Sequence, residues 1–88
     1  MSYSVRYADN AKKDLKKLDR HQAGVIVAWI KRNLIGCENP RLHGKALTGD
    51  KRGLWRYRIG TYRVIADIQD SIIQIEIINV GHRSNIYR

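Results

Sequence analysis

Arg56, Arg58 and Arg63 have the residue type and spacing to hold a phosphate. Residues 53–63 read Gly-Leu-Trp-Arg-Tyr-Arg-Ile-Gly-Thr-Tyr-Arg. In this stretch Trp55, Tyr57 and Ile59 alternate with Arg56 and Arg58, as in a strand with one buried and one wet face. After Gly60 the pattern resumes, with Tyr62, Val64, Ala66 and Ile68 on the apolar face and Arg63 directed outward. The expected structure is a hairpin that gathers three guanidiniums on one exposed face. A guanidinium keeps its proton near neutral pH, and its planar fork of donors matches phosphate oxygens. Near the C-terminus, His82 and Tyr87 can exchange protons. Histidine titrates near neutrality, whereas tyrosine acts more naturally as an acid. Metal-free cleavage of RNA needs activation of the ribose 2′-hydroxyl, stabilisation of a pentavalent phosphorane and protonation of the departing 5′-oxygen. Arginines, a histidine and a tyrosine supply the groups for such a reaction.

Competing structural roles apply to the same residues. Arginine on a surface strand also serves solubility or blunts edge-to-edge pairing. Glu76 can position an arginine as an ion-pair partner or act as a base. His21 and His43 lack supporting partners and read as structural.

The elements that must position these groups follow from periodicity. Residues 2–7 alternate Tyr3, Val5 and Tyr7 on one side, which predicts a first strand. Asp9 or Asn10 is the expected cap of a helix whose Ala11, Leu15 and Leu18 form a stripe, with Lys12, Lys13, Lys16 and Lys17 on the solvated remainder. Asp19 is the expected cap of a second helix over about residues 20–35, with Ala23, Ile26, Val27, Ile30 and Leu34 at helical spacing and Gly36 as terminator. Val25 and Trp29 widen its apolar surface, which predicts cover on more than one side or a seat for a partner segment. From Cys37 to Arg52 periodicity fails and turn formers gather, which predicts a loop whose Lys45, Lys51 and Arg52 add positive charge near the hairpin. A turn at Gln69-Asp70-Ser71 leads to a last strand from Ile72 to about Val80, with Ile73, Ile75 and Ile77 inward and Gln74 and Glu76 outward. The chain is then expected to turn at Gly81.

Length and composition bound the reading. The chain has 88 residues, 43% of them apolar, which fits one domain with a modest core. Seventeen Lys and Arg against eight Asp and Glu leave a formal charge of +9, which calls for a polyanionic partner, nucleic acid or acidic protein. Cys37 is the single cysteine and cannot form an internal disulfide, so a reducing, cytoplasmic setting and an inert thiol are expected. No metal-ligand cluster, cofactor fingerprint, membrane span or signal peptide is legible.

The stretch Leu54-Trp55-Arg56-Tyr57-Arg58-Ile59-Gly60-Thr61-Tyr62-Arg63-Val64, followed by Val80-Gly81-His82-Arg83 and the nearly terminal Tyr87, resembles the RelE/ParE superfamily of bacterial type II toxins over essentially the whole chain. The resemblance implies an α+β fold of order β-α-α-β-β-β: a curved, antiparallel four-stranded sheet packed on an N-terminal helical hairpin. It is nearest the RelE branch, whose members enter the ribosomal A site and cut messenger RNA by 2′-hydroxyl attack, leaving a 2′,3′-cyclic phosphate. Arg56 and Arg58 then match two basic residues that bind RNA and assist catalysis. Arg63 and Arg83 match arginines that stabilise the scissile phosphate, and Tyr87 matches a tyrosine that stacks on or orients the nucleotide. His82 stands where other members carry lysine or histidine. The chain departs from the best-studied members in having arginine where they have lysine on the second strand. A guanidinium is a poor base, so the base role shifts to His82, with Glu76 and Tyr87 as alternatives. The implied partners are the 70S ribosome with its message and a cognate antitoxin, assembled in a higher-order toxin–antitoxin complex. No cofactor is implied. Two other functions fit the same features: a ParE-like inhibitor of DNA gyrase, and a non-catalytic RNA- or ribosome-binding module.

Overall fold

The computed structural model describes residues 1–49 and 53–82. Strand β1 (Ser4–Tyr7) leads into helices α1 (Asp9–Lys17) and α2 (Arg20–Asn33), followed by strands β2 (Lys45–Ala46), β3 (Trp55–Ile59), β4 (Tyr62–Gln69) and β5 (Gln74–His82). They form one sheet of order β1-β5-β4-β3-β2. The α+β reading holds, with two corrections to the sheet. Among the described residues it has five strands, because two residues of the stretch read as loop pair with β3 as β2. It is not wholly antiparallel, because β1 runs parallel to β5. A two-residue strand is too short to leave a periodic signature, and the α1–α2 crossover is what brings β1 back parallel to the last strand.

The helices form where the stripes required. α2 is capped by Asp19, whose Oδ1 accepts the Gln22 N–H at 2.9 Å. It ends ahead of Gly36, which takes the left-handed conformation at φ +79°. α1 differs from expectation: its cap position is Ala8, without a side-chain cap, and Asp9 begins the first turn. There its negative charge still meets the positive end of the helix dipole. Lys12, Lys13, Lys16 and Lys17 are all exposed.

The core lies between the helices and one sheet face. Ala11, Ile26, Ile30 and Leu34 from the helical side pack with Tyr57, Val64, Ala66, Ile75, Ile77 and Val80. Each fully buried isoleucine there contributes about 1.5–3 kcal/mol of hydrophobic stabilisation. Trp29 meets the Tyr57 ring at 5.5 Å and the His43 ring at 5.6 Å, so one side of α2 is covered by the loop, while Val25 stays partly exposed. β5 also departs from expectation. It runs through His82 without turning at Gly81. A bulge lets Ile65 pair with Asn79 but Ala66 with Ile77. That extra residue flips the alternation, which is why Ile75, Ile77 and then Val80 are buried.

Candidate phosphate-binding face

Strand register sets the face that the core leaves open. The hairpin turns at Gly60 and Thr61, and Gly60 has φ +61°; a glycine at the first central position suits the right-handed twist of paired strands. Arg58 then stands directly opposite Arg63, and Arg56 opposite Ile65. The rows continue across the sheet, Arg63 to Gly81 on β5 and Arg56 to Lys45 on β2. Residues opposite in register share a face, so Lys45, Arg56, Arg58 and Arg63 lie together on the side away from the helices. Further along that face Asp67 pairs with Glu76, and Glu76 with Arg6.

Two adjoining recesses mark the basic end. One, of about 300 Å³, is lined by Arg58, Gly60, Thr61, Tyr62, Arg63 and His82. The other, of about 220 Å³, is lined by Gly44, Lys45, Arg56 and Arg58. Arg58 belongs to both, and no acidic residue lines either. The arrangement can seat an extended anion along the hairpin, with forked donors for successive phosphate oxygens. Among the described residues, no group of side chains could hold a metal ion.

Arg63 is only 7% exposed. Its strand lies between β3 and β5, so neighbouring strands crowd it, and it is less open than a residue directed outward was expected to be. Close Gly81 opposite it leaves room for the long side chain. His82 is in the other row. It stands opposite Tyr62, with the rings edge-on at 5.6 Å and 84°, and reaches the recess at the end of β5. Tyr62 and Thr61 also line this recess; Tyr62 packs against the core as its place on the apolar face required, while the sequence assigned Thr61 no role. The available signal was position: residues that close a tight turn line both faces of the hairpin tip.

Other expected candidates fall elsewhere. Glu76 forms an ion pair with Arg6, so it acts as the partner of an arginine, though of Arg6, not of the basic end. His43 packs on Trp29, and its carbonyl accepts the Trp55 Nε1–H at 2.7 Å. Lys51, Arg52, Arg83 and Tyr87 lie outside the described residues.

The loop that carries Lys45 is tied to the sheet from beneath. The Tyr57 hydroxyl donates to the Pro40 carbonyl at 2.6 Å, and burial pushes the Tyr57 phenol far above its ordinary pKa. Burial likewise raises the Cys37 thiol, away from the thiolate that reactivity requires. No helix among the described residues is long and apolar enough to cross a membrane.

Comparison with known proteins agrees with this fold. The profile of the family described as "ParE toxin of type II toxin-antitoxin system, parDE" matches residues 5–87. Toxin RelG of Mycobacterium tuberculosis is 34% identical over 88 residues, covering 100% of this chain and 99% of that one. Toxin RelE of the same organism is 36% identical over 86 residues, covering 98% and 87%. The toxin–antitoxin complex RelBE2 of M. tuberculosis contains a chain that superposes with a TM-score of 0.81 at 29% identity, covering 97% of this chain and 95% of that one. With its order of strands and helices and its full-length match to these relatives, the chain belongs to the RelE/ParE superfamily of type II toxin–antitoxin toxins.

Proposed function

We propose that the chain is a RelE-type messenger RNA interferase: a metal-independent endoribonuclease that acts in the ribosomal A site and stops translation in the cytoplasm. The observation that carries this reading is the register of the hairpin, which sets Arg58 opposite Arg63 beside a recess that His82 also lines. In the reaction, the 2′-hydroxyl oxygen attacks the adjacent phosphorus, its proton passes to a base, and the 5′-oxygen leaves with a proton from an acid. Arg58 and Arg63 hold the phosphorane oxygens, Arg56 and Lys45 bind flanking phosphates, and His82 exchanges the proton. Arg83 and Tyr87 complete the site, and Lys51 and Arg52 extend the RNA contacts, as the family resemblance implies. The partners are the ribosome with its message and a cognate antitoxin, for which the charge of +9 favours acidic surfaces and salt-sensitive association.

The matching family profile is described by the ParE toxin, which keeps a gyrase inhibitor as the second reading. Two relatives above thirty per cent identity bear RelE and RelG names, and proton-exchanging His82 in a basic recess has no task in gyrase binding. Primer extension on a defined message in a purified translation system separates the two. Cleavage in the A-site codon only with ribosomes, weakened by His82→Ala and Tyr87→Phe, is the expected result. An intact message, with inhibited supercoiling in a gyrase assay, overturns it; binding without cleavage leaves the non-catalytic module.

A further inference from the structure

α1 carries one carboxylate on its buried side. Ala11, Leu15 and Leu18 pack towards the sheet, and Asp14, three residues after Ala11, shares their side and is half-buried. Its Oδ2 accepts the backbone N–H of Val80 at 2.9 Å.

The place of that bond on β5 gives it a role. β1 covers the edge of β5 over residues 74–77, and the Ala8 N–H still donates to the Ile77 carbonyl at 2.9 Å. There the chain leaves the sheet to form α1. β5 continues through the bulge to His82 with β4 on one side and, among the described residues, no strand on the other. An unpaired amide on such an edge costs free energy when half-buried, and Asp14 meets this one. Val80 is followed by Gly81, opposite Arg63, and His82, opposite Tyr62.

We propose that Asp14 is a positioning residue for the basic recess: by holding the Val80 amide it fixes the end of β5, and with it His82, against Arg63 and Tyr62. Its consequence for catalysis rests on the interferase reading; its consequence for the geometry of β5 does not. The acceptor oxygen is what matters. Asn at this position keeps an acceptor in place, Glu keeps the charge but displaces the oxygen by a methylene, and Ala removes it.

The test compares Asp14→Asn, Asp14→Glu and Asp14→Ala in the full chain, with Ile26→Val as a mildly destabilised control. Amide exchange and resonance positions of Val80, Gly81 and His82 are read beside single-turnover cleavage of ribosome-bound message. Asp14→Glu and Asp14→Ala are expected to speed Val80 exchange relative to Ile77, to shift the Gly81 and His82 amides, and to slow cleavage about 10- to 100-fold with ribosome affinity little changed. Asp14→Asn is expected to restore most of both. Should Asp14→Ala fail to fold, Asp14→Glu against Asp14→Asn makes the same comparison. Unchanged Val80–His82 resonances in Asp14→Glu overturn the proposal. So does a cleavage loss that Ile26→Val matches or that Asp14→Asn does not restore. If the native chain leaves the message intact, the interferase reading fails, and the resonances alone decide whether Asp14 fixes the end of β5.

Discussion

Arg58 and Arg63 face each other across β3 and β4 as directly opposed cross-strand neighbours. Like charges so placed disfavour the sheet, a cost that an anion seated between them would offset. Replacing Arg58 with Gln should therefore leave the melting temperature unchanged or slightly higher while weakening RNA binding. The salt dependence gives a second readout: the log–log slope of affinity against salt should become shallower by about 0.7 for the lost phosphate contact to a single strand. Calorimetry and filter binding over a salt series check both. A melting temperature that falls with an unaltered slope would make Arg58 structural.

Arg63 should behave differently because it is buried. On the proposed interferase reading, in which Arg63 holds the phosphorane, Arg63→Gln should slow cleavage by about 10²–10³-fold, the cost of losing one such donor. Rapid-quench cleavage of programmed ribosomes measures it, with circular dichroism as the control for folding.

The Tyr57 hydroxyl that holds the Pro40 carbonyl is buried. Tyr57→Phe keeps the ring packing on Trp29 but strands that carbonyl, so urea unfolding should show a loss of about 1–3 kcal/mol. The loop it ties down carries Lys45, so RNA affinity should fall as well.

Gly44 sits where the same loop presses on β3. It has φ +82°, and a Cβ there would come 2.1 Å from the Arg56 carbonyl oxygen and 2.7 Å from the Trp55 indole nitrogen. Gly44→Ala must both strain the backbone and push β2 from β3, so it should cost more than about 1 kcal/mol. A melting temperature within experimental error of the native protein would contradict this packing.

Asp70 accepts two bonds from Arg41, at 3.1 and 2.9 Å, and one from the Tyr3 hydroxyl at 2.6 Å. The Arg41 guanidinium, and after it the Tyr3 hydroxyl, hold the Asp70 carboxyl below its ordinary pKa. A carboxylate whose pKa is depressed in the folded state adds stability that is full above its unfolded pKa of about 4 and fades as the pH falls through the lower folded value. Urea midpoints should therefore decline on acidification below that point. In Asp70→Asn part of that slope should disappear, and an identical pH profile would contradict the assignment.

Local pattern determined much of this protein. The two helices, the Asp19 cap, the hairpin at Gly60 and the outward set of Arg56 and Arg58 all follow from apolar period, capping chemistry and turn residues, which act between neighbours in the chain. The family resemblance was carried by residues of the same hairpin together with Val80-Gly81-His82-Arg83 and Tyr87. Tertiary structure decided what depends on residues far apart. β2 exists only because β3 offers an edge to Lys45 and Ala46. The bulge that turns Val80 inward answers the register of β4, so strict alternation along β5 could not foresee it. Asp14 carries no local signal of its role, because its partner, the Val80 amide, lies 66 positions away. Burial of Arg63 likewise comes from the strands on both sides of it. Sequence specifies which faces are apolar and where the chain reverses; register and edge pairing, set by contacts between distant strands, decide which charged groups share a recess.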